Sequence, residues 1–346
     1  MSHIFREFIR KIGSGNHTSE NLSRQEAYTA MKMMLLAEPT PAQIGAFLIA
    51  HRIKRPTGEE LAGMLDAYDE LGPKLALTNY DENPIVFGIP YDGRIRTAPV
   101  NIITTLLLTA AGKPVIMHGG DRYPTKYGLP LVEIWQNLGI NWAKVCLEKT
   151  QKIFNTTGIG FIHTTSHFSL TQSLWEYREQ LGKRPPLATM ELIWCPYVGN
   201  AHIIAGFVHP PTEGMLQAAL EMRGVKQYTF IKGLEGSTDL PKDRTAIIGT
   251  SCFELQELKR LNLASRDYEL SSKNVPLYST EQLMTDIKSI LIGESNDLME
   301  TAIWNGAFYL WHSGVSPDMS AGIDKARELL HSGLVAAKLH QLLQIL

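Results

Sequence analysis

Residues 4–72 carry their apolar side chains at helical spacing. Ile4, Phe5, Phe8, Ile9 and Ile12 stand at i, i+1, i+4, i+5 and i+8, one face of a helix. Three capping boxes follow: Ser23 with Glu26, Thr40 with Gln43, and Thr57 with Glu60. In each, a hydroxyl opens the helix and a carboxylate or amide three residues on can return the hydrogen bond. Pro41 falls at a first helical position, where its missing N–H costs nothing. Gly72-Pro73 then punctuates the chain. The pattern predicts an all-helical domain over residues 1–75.

From residue 84 the rhythm changes. PIVFGIP, KPVIMHG, GIGFIHT, HIIAGFVH and QYTFIKG are short apolar runs with β-branched or aromatic residues. Helical patterns lie between most of them, at 99–111, 129–138, 168–181 and 212–223. Gly112, Gly139, Gly182 and Gly224 sit where helix ends want a left-handed residue. Alternating strand and helix predict a mainly parallel sheet covered by helices over residues 80–346. Helix 168–181 belongs either to that layer or to the helical domain. Residues 318–346 read as one long helix after Pro317. Trp175 and Trp194 read as core side chains. No run approaches the ~18 apolar residues of a membrane span.

Composition narrows the classes. The 346 residues are 44% hydrophobic and 20% charged, with a formal net charge of −2. That balance excludes a histone-like cationic protein but not a local basic patch. Cys146, Cys195 and Cys252 are far apart and form no CxxC pair, so a disulfide framework or zinc knuckle is not expected. The opening MSHIFREFIRKIG lacks the apolar core of a signal peptide. The expectation is a cytoplasmic protein.

In sheets of this kind ligands gather beyond the carboxyl ends of strands. The loops after the first two strand runs read GIPYDGRIRT (88–97) and HGGDRYPTKYG (118–128). Both join glycine, a basic residue and a following helix start, a combination suited to phosphate.

At these loops the chain resembles the anthranilate phosphoribosyltransferase family, glycosyltransferase family 3. The likeness extends over nearly the whole chain. It includes IRKIGSG at the N-terminus, IGAFLIAHRIK at 44–54, REQLGKR at 178–184 and ARELLHSGLVAAKL at 326–339. The resemblance implies a helical domain plus an α/β domain, a site in the cleft between them, and a homodimer through the helical domain. It also marks ligand-binding positions: Gly88, Asp92 and Gly93 of the first loop, then Asn101 and Thr104 of an N-I-S-T element. His118, Gly119 and Arg122 match K-H-G-N-R, Lys126 matches S-K-S-G, and Arg178 matches an acceptor-binding arginine. His118 and Arg178 are the catalytic candidates, and Glu235 is a single candidate metal ligand.

The donor motifs depart from the family. Ile89, Pro90 and Tyr91 replace the T-G-G of the first loop, and Pro90 has no N–H for a pyrophosphate. Ile103 replaces a magnesium-holding serine, Met117 a lysine, and Gly236 one of two adjacent acidic ligands. One carboxylate is a poor holder of magnesium, which prefers oxygen-rich shells; the metal is expected only if the transfer reaction persists. Gly88 to Asn101 exceeds the family loop by about three residues and adds Arg94 and Arg96, both read as phosphate-binding. The pattern is closer to a paralogue branch of the family that has lost phosphoribosyl-diphosphate binding and binds nucleic acid. The expected function is therefore binding of a phosphate-rich ligand, single-stranded nucleic acid, in or near the cleft. The alternative is an active pentosyl transferase. Bland readings stand beside these: His118 as a structural histidine, Glu235 as a capping or salt-bridge residue, and His51, Arg52, Lys54 and Arg55 as cations favoured at a helix end.

Overall fold

The computed structural model describes residues 2–15, 17–76, 82–252 and 257–346. Helices α1 (His3–Ile12), α2 (Arg24–Leu35), α3 (Pro41–Lys54) and α4 (Gly58–Leu71) form the N-terminal bundle. All three capping boxes close reciprocally. Phe5, Phe8 and Ile12 of the expected α1 stripe are buried, whereas Ile4 points outward at 61% exposure.

The five apolar runs are parallel strands: β1 (Ile85–Gly88), β2 (Val115–Gly119), β3 (Ile159–His163), β4 (His202–Gly206) and β5 (Tyr228–Ile231). An antiparallel ribbon, β6 (Ala246–Cys252) and β7 (Glu257–Leu263), completes the order β3-β2-β1-β4-β5-β6-β7. Nothing in the apolar pattern announces β7: it reads ELKRLNL and is a solvent-facing edge strand. The remaining helices are α5 (Asn101–Ala110), α6 (Leu131–Asn137), α7 (Leu147–Thr157), α8 (Thr164–His167), α9 (Gln172–Gln180), α10 (Leu187–Met190), α11 (Pro210–Met222), α12 (Thr280–Leu291), α13 (Asp297–His312), α14 (Met319–His331) and α15 (Leu334–Ile345). The C-terminal stretch is thus two helices rather than one. Gly333 breaks it with φ of 77°, a left-handed conformation that glycine alone adopts cheaply. Among the described residues no helix is long and apolar enough to cross a membrane.

Side chains alternate across the strands and divide the apolar residues between two cores. Phe87, Val115, Met117 and Phe161 face α5, α6 and α12–α15. Val86, Ile116, Ile162, Ala205 and Phe230 face the other way and share one cluster with Phe5, Phe47, Leu61 and Tyr68 of the bundle. The bundle docks on α11, α9 and α10, and its apolar residues are continuous through them with that face of the sheet. Helix α4 packs so closely on α11 that a Cβ on Gly58 would lie 2.5 Å from the Ala218 methyl. Arg223, just beyond α11, pairs with Asp66 and Asp69 of α4, and Asp66 also takes Arg24 Nε at 2.6 Å. Helix α9 packs on α2 and α3.

Candidate functional site

The two glycine-bearing loops lie side by side beyond β1 and β2 and clasp each other. Arg94 and Leu129 exchange backbone hydrogen bonds of 3.1 and 2.8 Å, and the Gly128 N–H donates to the Asp92 carbonyl at 2.9 Å. A Cβ on Gly93 would stand 2.6 Å from the Gly128 carbonyl carbon. These glycines serve the approach of loop to loop. Gly88 does similar work, because a Cβ there would lie 1.6 Å from the Leu192 oxygen. The N–H groups of Arg94, Gly128 and Leu129 are thereby engaged within the chain and are not phosphate donors.

Arg94 departs most sharply from its expected role. It is 4% exposed, not a surface phosphate ligand. Its guanidinium meets Asp239 at 2.8 Å, Ser237 Oγ at 2.8 Å and Glu235 at 3.3 Å, and also touches the Thr97 hydroxyl. Burial of a lone guanidinium would be costly, and this set of acceptors is what makes it tolerable. Glu235 in turn accepts from the backbone N–H groups of Ile95, Arg96 and Thr97 at 3.2, 3.0 and 3.0 Å. Burial would raise its carboxyl, but Arg94 and these N–H groups hold it down at about 2. Asp239 has its carboxyl raised by burial against the pull of Arg94.

Those contacts also decide the metal question. Magnesium wants several free oxygens. Glu235 is saturated with cationic and N–H donors, Gly236 offers no side chain, and Asp239 is held by Arg94. The residues do not fit the ion, and no group of three or more metal-ligating side chains occurs among the described residues. Glu235 is a clamp on the 94–97 loop, not a metal ligand.

The other candidates sort by burial. Asn101 is buried and donates to Thr238 Oγ1 at 2.9 Å; Thr104 is wholly buried on α5. His118 at the end of β2 pairs Nδ1 with the Tyr91 hydroxyl at 2.6 Å, and burial pushes it down to about 3, so it is a neutral ring. Gly93, Asn101, His118 and Gly119 surround a cavity of only about 20 Å³, room for one water and far smaller than a phosphorylated sugar. Asp92 is buried against Arg184. Arg122 forks onto Glu133 with two 2.7 Å bonds and is committed to that carboxylate. Lys126 stands 3.9 Å from both Asp92 and Glu235, and burial lowers its pKa. Arg178 lies buried between Glu191 and the Tyr123 ring. Burial opposes its charge, Glu191 outweighs that, and its pKa is raised. Arg96 remains outside, 74% exposed, 3.7 Å from Glu235.

Arg178, Arg184, Tyr123 and His209 border an open cleft pocket of about 160 Å³. It is continuous, through Arg184, Thr189 and His209, with an outer groove of about 870 Å³. The groove brings together residues that the sequence kept apart. Arg52 and Arg55 reach it from the end of α3, Arg184 from the turn after α9, and His209 from the start of α11. No aspartate or glutamate lines it. Arg52 is steadied by the Arg184 carbonyl at 2.7 Å. The run at 51–55 thus divides: Lys54 lies 2.9 Å and His51 3.3 Å from buried Glu60, while Arg52 and Arg55 face outward. Arg55 is the C-cap of α3, with φ of 67°, so helical spacing does not announce its place beside Arg52, nor does the sequence announce the opposing wall.

Models of the glycosyl transferase family match the chain twice, the helical bundle domain over residues 6–72 and the a/b domain over residues 93–336. An anthranilate phosphoribosyltransferase of Albidiferax ferrireducens is 24% identical over 318 residues, 91% of this chain and 89% of that protein. An uncharacterized protein of Aquifex aeolicus is 24% identical over 94% of this chain and 98% of its own length. Among solved structures, anthranilate phosphoribosyltransferase from Thermus thermophilus superposes with a TM-score of 0.79 at 20% identity, covering 99% of both chains. The Saccharomyces cerevisiae enzyme in complex with PRPP and Mg gives 0.83 at 16% identity, covering 100% of this chain and 98% of that one. Bundle on sheet, the place of the two loops and both domain matches agree: the chain belongs to glycosyl transferase family 3.

Proposed function

We propose that this chain no longer transfers phosphoribosyl groups and instead binds a phosphate-rich ligand, of the class of single-stranded nucleic acid, along the groove leading out of the cleft. The observation that carries this reading is the division of its basic residues. Those of the two loops are paired with the chain's own carboxylates, whereas Arg52 and Arg55 line a groove free of acidic side chains, at whose inner end Arg184 pairs with Asp92. The cramped cavity among Gly93, Asn101 and His118 supports the loss of transfer. So does the closeness of the loop sequences to the nucleic-acid-binding branch. We infer, too, a homodimer through the helical domain, supported by the outward Ile4 and Leu36.

Two assays test this. Incubation with phosphoribosyl diphosphate, magnesium and anthranilate should give no turnover above background. Fluorescence anisotropy with a single-stranded oligonucleotide should show binding that weakens with salt, with a slope of about −0.7 per phosphate neutralised. The R52A/R55A variant should flatten that slope by about one unit or slightly more. Conversion to phosphoribosyl-anthranilate would restore the transferase reading, and equal binding by wild type and variant would end the groove reading.

A further inference from the structure

Away from the cleft, at the opposite end of the parallel strands, two histidines turn their ring nitrogens on one hydroxyl. His202 opens β4, Thr229 lies in β5, and His312 closes α13. His202 Nε2 stands 2.9 Å and His312 Nε2 2.8 Å from Thr229 Oγ1. Thr250, opposite Thr229 on β6, is the hydroxyl's third neighbour at 3.3 Å. The two rings are 5.2 Å apart, and His312 lies flat on Phe308 at 5.0 Å, which fixes its orientation. Thr229 is buried, whereas both histidines keep part of their surface in solvent. Burial pushes His202 down to about 3, with His312 and Lys113 adding to the effect, and pushes His312 down to about 4. Both rings are therefore neutral at pH 7 and have lone pairs to give. Lys113, the cation near His202, is itself paired with Glu82 at 2.7 Å. Two neutral imidazoles aimed at one point, with an oxygen between them, are a donor set that suits zinc, nickel and copper rather than magnesium or calcium.

We propose that His202 and His312 form a site for a divalent cation of the zinc, nickel and copper class, with Thr229 Oγ1 as a neighbouring oxygen and water completing the shell. Ligands about 2.0–2.1 Å from such an ion stand roughly 3 Å from one another, close to the nitrogen–oxygen separations already present. A threonine hydroxyl has one proton, so its three contacts leave at least one ring with the proton on Nε2. The ion takes lone pairs from both rings, and that proton then sits on Nδ1; the rings are already neutral, so none is released. No third histidine, cysteine or carboxylate joins the pair among the described residues. Two imidazoles are fewer than the three protein ligands of a catalytic zinc site, so the ion exchanges with solution. While bound, it ties β4 and β5 to the end of α13. The site shares no residue with the groove or the two loops, and it stands whether or not oligonucleotide binds.

The test titrates the full chain, without an affinity tag, with zinc, nickel and magnesium in a calorimeter and follows melting in each. One zinc or nickel ion per chain should bind, and magnesium should not. Metal at a hundredfold excess over Kd should raise the melting temperature by about 4 °C. H202Q and H312Q should each weaken binding by about a hundredfold or more, since even the outer partners of metal ligands are worth about 10–100-fold. H340Q, at an exposed histidine of α15, controls for surface binding and should bind as wild type does. Absence of zinc and nickel binding up to millimolar concentration overturns the proposal. So does undiminished binding by H202Q or H312Q, or a loss shared equally by H340Q. If the two variants do not fold, wild type loaded with one equivalent of copper decides by electron paramagnetic resonance: two coupled ring nitrogens support the site, and one or none refutes it.

Discussion

Replacing Arg94 by alanine separates a buried clamp from a ligand contact. The guanidinium is 4% exposed and neutralises Asp239 at 2.8 Å and Glu235 at 3.3 Å. Deleting one partner of a buried ionic cluster costs about 3–5 kcal/mol, because the remaining charges lose their compensation. Unfolding entropy is about 2.1 cal/mol/K per residue, or about 0.7 kcal/mol/K for this chain, so R94A should melt about 4–7 °C below wild type. The deficit should shrink in acid. Burial already raises the Asp239 carboxyl, and without Arg94 it rises further, so protonation relieves the variant as pH falls. D239N in the same background should recover part of the loss. R96A is the control: that side chain is 74% exposed and should shift melting by less than about 1 °C. Scanning calorimetry of the four proteins at pH 7 and pH 5 checks all of this. An R94A protein that melts with wild type while losing oligonucleotide binding would refute the clamp and restore Arg94 as a phosphate ligand.

Other outcomes follow from single contacts. Burial would raise the Glu60 carboxyl, but His51, Lys54 and the Leu22 N–H hold it at about 2, well below its ordinary 4.5. It therefore contributes about 3 kcal/mol above pH 4.5, lost as pH falls through about 2, and E60Q should flatten the acid limb of a stability profile. Gly88→Ala should not accumulate as folded protein, because its Cβ would lie 1.6 Å from a backbone oxygen. Gly214→Ala, on α11 with nothing within 4 Å, should stabilise by about 0.5–1 kcal/mol in a denaturant titration. Multi-angle light scattering should give twice the 38.6 kDa of one chain, and a monomer at micromolar concentration would count against the dimer.

Local rules carried most of the fold. Hydroxyl and carboxylate or amide three apart at Ser23, Thr40 and Thr57 are self-contained signals, and each opened a helix. The five parallel strands showed because both faces are buried, which makes their apolar runs continuous. Strand β7 stayed hidden because an exposed edge selects polar residues. Trp194 is core as expected, but Trp175 is 37% exposed because one face of α9 meets solvent. The site was legible only in part. Position along the loop marked Arg94 and Glu235, but their partnership joins residues 141 apart. Sequence motifs do not say whether a charged loop residue meets a ligand or a distant carboxylate. Arg52 and Arg55 read as a mere helix end for the same reason: the wall that turns them into a groove comes from residues 184–215.

The shared core bears on motion. A cleft between two separately cored bodies opens and closes about a hinge. Here the bundle and one face of the sheet share a continuous apolar core through α9, α10 and α11, and Arg24, Asp66, Asp69 and Arg223 rivet α4 to the end of α11. Closing such a cleft would mean sliding a packed core, which resists continuous deformation. A ligand of the kind proposed would meet walls already in place, and its arrival would be set by diffusion and by the field of the groove arginines rather than by a gate.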